Sequence, residues 1–206
     1  VTARAAPMTE LLGDAAEWRL LSLLLSRPAA GWREEVRALA REAGGELGRA
    51  AADLEDATEG AYHALLGPGA PASPREAAHA GFLDPGRILA DLQARYQAFA
   101  FAARGGEPAD HLAVECDFVS YLLLKEAYAL ARGEPEQADV ARQARLRFLA
   151  DHLAPTGRRF AEKLPALAPG YLREAARALA ARLPEVPLPP EQPPDEEEAP
   201  LECPTS

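Results

Sequence analysis

The residues able to do chemistry are few and scattered. Four histidines, His63, His79, His111 and His152, stand singly along 206 residues, and the two cysteines are Cys116, in an apolar stretch, and Cys203, near the C-terminal end. A thiol nucleophile needs a histidine or another positive group beside it to hold the thiolate; Cys116 has apolar neighbours and reads as a small core residue. No G-x-S-x-G elbow, no G-x-x-x-x-G-K-[ST] phosphate loop and no G-x-G-x-x-G turn occurs. The nearest approach to a metal pattern is Glu76-Ala77-Ala78-His79. A helical di-iron site needs two such Glu-x-x-His pairs plus two further glutamates, and the second pair is missing. His111 and Glu115, four residues apart, share a helix face, and that spacing predicts a salt bridge or hydrogen bond before it predicts a metal. The sequence therefore implies no catalytic residue, no metal and no cofactor.

The elements that carry these residues are helical. Apolar residues recur at helical spacing, and no alternating β-branched run bounded by hairpin turns interrupts them. The first helix is expected after Thr9 as N-cap, with Leu11, Leu12, Ala15, Trp18 and Leu21 on one side, ending near Pro28. A second runs from about Trp32 to Gly44-Gly45, where glycine accepts the left-handed stop. A third is expected from about Glu46 to Leu66. Residues 67–83 hold Pro68, Pro71 and Pro74 and predict a long irregular segment, a length of loop that is usually functional. Asp84-Pro85 opens the next helix, which the pattern carries to Gly105-Gly106. The central helix should start at Pro108 to Asp110, with Asp110 as N-cap, and reach Arg132. Apolar residues on several of its sides place it in the middle of a bundle. Glu134-Pro135-Glu136 opens a helix through Phe148 to Leu153; a short element around Phe160 and Leu164 and a last helix from Tyr171 to Leu183 follow. The fold class is all-α, a single-domain helical bundle over 1–183, with 184–206 as a disordered tail.

Charge narrows the partners. Residues 1–183 hold all 22 Lys and Arg against 25 acids, a net −3, and 184–206 add seven acids among eight prolines to give −10 overall. No basic run offers phosphates a surface, which excludes nucleic acid. The longest apolar run near the start, Leu20 to Leu25, is far below the ~20 residues of a membrane span, and no basic segment with a cleavage site precedes it. With two cysteines and no disulfide framework, a cytoplasmic location is expected.

Two segments resemble the TorD/DmsD/NarJ family of redox-enzyme maturation chaperones. Glu107-Pro108-Ala109-Asp110-His111-Leu112, followed by Glu115 and Phe118, is similar to that family's E-x-x-D-H-x-x-x-E-x-F-M signature, with Val119 in place of methionine. Tyr62-His63-Ala64-Leu65-Leu66-Gly67-Pro68 resembles its Y-x-x-L-F-x-G-P pattern, and Ser73-Pro74-Arg75-Glu76 its serine-proline-x-glutamate loop. Gln143, Phe148, Leu149, His152 and Leu153 match a further stretch. Leu66, His79 and Thr156 depart from the residues expected there.

The resemblance implies a chaperone that binds the twin-arginine signal peptide of a molybdopterin oxidoreductase precursor until its cofactor is inserted. Such a peptide joins two arginines to an apolar segment, so its receptor needs carboxylates beside apolar surface. Asp110, Glu107, Glu115 and Glu76 are the candidate carboxylates, with His111 beside them. Tyr62, Leu65 and Phe118 are the candidate apolar lining, and 67–83 is placed to close over the peptide. A helical module for another protein partner, a metal-dependent helical enzyme and a nucleotide-binding variant stay open, as do monomer and dimer.

Overall fold

The computed structural model describes residues 2–52, 54–70, 72–79 and 84–186, without the side chains of 2–7 and 46. It contains nine α-helices among these residues: α1 (Thr2–Leu25), α2 (Trp32–Ala43), α3 (Gly45–Ala50), α4 (Glu59–Leu66), α5 (Pro85–Ala98), α6 (Leu112–Arg132), α7 (Pro135–Phe148), α8 (Ala154–Lys163) and α9 (Gly170–Arg182). The 184–206 tail lies outside the described residues from Pro187 onward.

α6 is the axis of the bundle. Fourteen of its 21 residues are buried, as expected of a helix apolar on several sides, and it packs chiefly against α1 and α7. The α1 crossing is close enough for Ser120 Oγ to donate to the Ala15 carbonyl at 2.7 Å. α2 closes over α1, with Trp32 Nε1 donating to the Leu23 carbonyl at 2.7 Å. α8 and α9 pack together and α9 also meets α3.

Several boundaries differ from expectation for identifiable reasons. α1 begins at Thr2, because an alanine-rich run of high helix propensity extends it upstream of Thr9. The single helix expected over 46–66 is two. Thr58 takes extended backbone and its hydroxyl accepts from the Ala61 N–H at 3.1 Å, starting α4 afresh. Arg33 satisfies the preceding turn, donating to the carbonyls of Leu54 and Ala57 at 3.3 and 2.7 Å. α5 stops at Ala98 and not at Gly105-Gly106. Phe99 and Phe101 leave the helix but keep their rings against Phe118.

The expected helix from 135 to 153 and the short element at 160 form one continuous rod. α7 passes through a widened π turn, Leu149–Leu153, into α8. Pro155 sits at the start of α8 without an N–H to give to the preceding turn, and a π turn accommodates that loss. The same turn carries His152, which is buried.

Candidate functional site

The resembling segments, far apart in sequence, meet at the N-terminal end of α6. Residues 73–76 run antiparallel to 110–112: the Glu76 N–H donates to the Asp110 carbonyl at 2.8 Å and the Leu112 N–H to the Pro74 carbonyl at 2.9 Å, with Arg75 opposite His111. Glu76–His79 then forms a 3-10 turn. Within the 67–83 segment, residues 74–76 are thus strapped to the start of α6.

Asp110 does not cap α6. Its carboxylate is fully buried and accepts from Arg75 Nε at 2.6 Å and from the Ala77 N–H at 3.3 Å. The cap is His111, whose Nδ1 accepts from the Ala113 N–H at 3.1 Å. Burial, and after it the Arg75 charge, lowers His111 to about 3, so the ring is neutral at physiological pH. With Nδ1 accepting, the proton rests on Nε2, which donates to the Tyr62 hydroxyl at 2.9 Å. Burial, followed by the nearby Glu107 carboxylate, raises the Tyr62 phenol. Glu107 accepts the Arg27 N–H at 3.3 Å and is a fifth exposed.

Glu115 makes neither the salt bridge nor the hydrogen bond to His111 that the four-residue spacing suggests. It turns the other way, wholly buried, and neither oxygen finds a donor among the described residues. It faces Glu76. Burial first, then the Glu76 and Asp110 charges, holds its carboxyl well above the usual range. Crowding two further carboxylates against a buried one favours the protonated form of Glu115 over the charged one.

Glu76 receives His152 Nδ1 at 3.1 Å, and His152 Nε2 lies 2.9 Å from Asp91. Asp91 pairs with Arg95 at 2.9 Å, and Arg95 reaches Asp151 at 3.2 Å. Desolvation pushes Asp91 up, but Arg95 and His152 together outweigh it and its carboxyl sits below the ordinary range. His79 does not join Glu76; its Nε2 meets the Ser73 carbonyl at 2.7 Å. Among the described residues, no group of three or more His, Cys, Asp or Glu can hold a metal ion.

Beneath the network is an aromatic floor. Phe118 is 1% exposed, with ring centroids of Tyr96 at 4.8 Å and Phe148 at 4.9 Å. Of the three residues expected to line a groove, Phe118 and Tyr62 are buried and Leu65 is half-buried. His152, Asp91 and Arg75 are the participants that the candidate set lacks. His152 lay within a matched stretch, whereas Asp91 offered only its four-residue spacing to Arg95.

Two clefts flank the network. One of about 220 Å³ lies between the end of α1, the start of α2 and the Gly105–Glu107 loop, and includes Leu23, Trp32, Val114, Glu107 and Asp117. Asp117 is buried there between Arg19 at 3.1 Å and Arg104 at 3.2 Å. The other, about 620 Å³, is lined by Glu76, Ile88, Asp91, Arg95, Asp151 and His152. A roomier cleft of about 1030 Å³ sits at the opposite end of α6, around Tyr128 and Val140, about 30 Å away for a helix of this length.

The arrangement is suited to recognition and not to turnover. The ring nitrogens of His111 are both engaged, burial holds the Glu115 carboxyl well above its usual range, and burial raises the Cys116 thiol well above its ordinary value. The flanking clefts combine apolar walls with carboxylates and with arginines of the chain itself, Arg19, Arg27 and Arg104 in one and Arg87 and Arg95 in the other.

The chain matches the protein-family model described as nitrate reductase delta subunit over residues 26–162, a span that contains the whole network. Among solved structures, a protein of Archaeoglobus fulgidus assigned as a redox enzyme maturation protein is similar in fold, with a TM-score of 0.55. It is 20% identical, and the match covers 81% of this chain and 91% of that one. No curated protein sequence matches significantly. Two thirds of the chain fit the family model, and the chain belongs to the nitrate reductase delta subunit family, the NarJ/TorD-like chaperones that mature redox enzymes without being catalysts themselves.

Proposed function

We propose that this chaperone serves a molybdopterin oxidoreductase, binds the twin-arginine signal peptide of its precursor beside the network at the start of α6, and retains the precursor until cofactor is inserted. The observation that carries the reading is the pair of clefts on either side of that network. Each joins carboxylates to apolar side chains, Glu107 with Leu23 and Val114 in one and Glu76 and Asp91 with Ile88 in the other. A leader that places guanidinium groups next to an apolar run needs that combination. Arginine's planar fork matches a carboxylate better than lysine's point charge does.

Calorimetry with a twin-arginine leader of a molybdopterin oxidoreductase tests it. The leader is expected to bind one to one, and the same leader with both arginines replaced by lysine to bind at least tenfold more weakly. Equal affinity for the two peptides, or none for either, would overturn the reading.

A further inference from the structure

The buried Asp110 carboxylate already holds a guanidinium, and it belongs to the chain itself. Arg75 is 37% exposed, while the Asp110 side chain beneath it is fully covered. Among the described residues, Arg75 uses one donor of its fork, Nε, on one oxygen of Asp110. The second oxygen has only the long 3.3 Å contact from the Ala77 N–H. A carboxylate that receives both prongs of a guanidinium is bound more strongly and more specifically than one that receives a single prong. The Asp110 carboxylate therefore has more acceptor capacity than Arg75 uses.

We propose that Arg75 is a resident stand-in, and that Asp110 is a guanidinium receptor from which an arginine of the client peptide displaces it. The inference rests on the leader-binding reading and names the residue that takes one arginine. Exchange needs no movement of the backbone strap, because Arg75 reaches Asp110 from the solvent side and swings outward by side-chain rotation. Charge is conserved in the exchange, so the buried carboxylate is never left bare, which would be costly. His111 keeps a neighbouring cation throughout. Arg75 thereby keeps the empty chaperone folded and sets a threshold that a single lysine or a weakly placed arginine does not pass.

Two measurements test this independently of each other. In Arg75→Ala, millimolar ethylguanidinium should raise the melting temperature by several degrees, ethylammonium should not, and adding Asp110→Asn should abolish the effect. Absence of guanidinium-specific rescue would overturn the receptor whether or not any leader binds. In the wild-type protein, the Arg75 Nε–H resonance should be protected from exchange in the free state and lose that protection when the leader is added. A leader that binds while the Arg75 resonance stays unchanged would sink the displacement and leave the leader-binding reading intact. If Arg75→Ala does not fold, a leader titration of Arg75→Lys takes the place of the melting test. Lysine's point charge holds Asp110 less well, so the leader should bind at least threefold tighter than to wild type, and weaker binding would count against the proposal.

Discussion

Glu115 and His111 are buried in opposite protonation costs, and each leaves a signature in the pH dependence of stability. Glu115 has a raised pKa in the fold, so its contribution is fully present below the unfolded carboxyl range and is lost as pH climbs toward the folded value. Glu115→Gln keeps the side chain's shape and removes the titration. It should melt above wild type at pH 8, with the difference shrinking toward pH 4, in thermal scans across that range. His111 is lowered to about 3, so its contribution is complete above the unfolded value of 6.5 and drains as pH falls below it. Urea unfolding of the wild type between pH 6.5 and 5 should show uptake approaching one proton attributable to this ring, absent in His111→Asn. Tyr62→Phe leaves the buried Nε2–H of His111 without its acceptor and should cost about 1–3 kcal/mol. The resemblance singled out Asp110, His111 and Tyr62, whose spacing alone reads as a cap, an i,i+4 pair and core packing. Their partners were not legible. Arg75 is 35 positions from Asp110 and Glu76 is 76 from His152, and no local periodicity encodes contacts at that separation.

Among the elements, α4 depends on a cap that the apolar pattern conceals. Ala51, Leu54 and Ala57 recur every third residue and are all buried, so the stretch reads as helix, yet the chain makes a turn there and uses the same three side chains to plug the core. The helix signal was hydrophobic spacing, and spacing reports burial as much as conformation. Thr58→Ala removes the hydroxyl that accepts from Ala61 and should lower stability by about 1 kcal/mol, measured by denaturant unfolding. At α6 the reading was off by one residue in its cap. Asp110 has the better capping side chain in isolation, but Arg75 and the Ala77 N–H claim it, and His111 takes over. The end of α5 was misplaced because Gly105-Gly106 is the obvious breaker, whereas the aromatic packing of Phe99 and Phe101 on Phe118 ends the helix earlier. The π turn before Pro155 leaves a weaker trace still, since a proline inside a helical pattern predicts an end or a kink and gives no hint of a widened turn that brings His152 inward.

The whole molecule was legible in its class, an all-helical bundle around one long buried helix, because composition and periodicity suffice for that. Arg158 ties the end of the body to α8, donating to the carbonyls of Leu183 and Pro184 at 3.0 Å each. A chain ended after Val186 should therefore keep the melting temperature and cooperativity of the full chain, and loss of the cooperative transition would show that the acidic segment is part of the fold. The signature residues knit four distant segments into one end of the bundle, and the account places recognition at that end. An arginine-bearing leader added to isotope-labelled protein tests this most directly through chemical-shift mapping. Changes are expected to concentrate at Arg75, Glu76, Asp91, Glu107 and Val114, around the start of α6. Changes confined to Tyr128 and Val140, at the far end of the same helix, would contradict it.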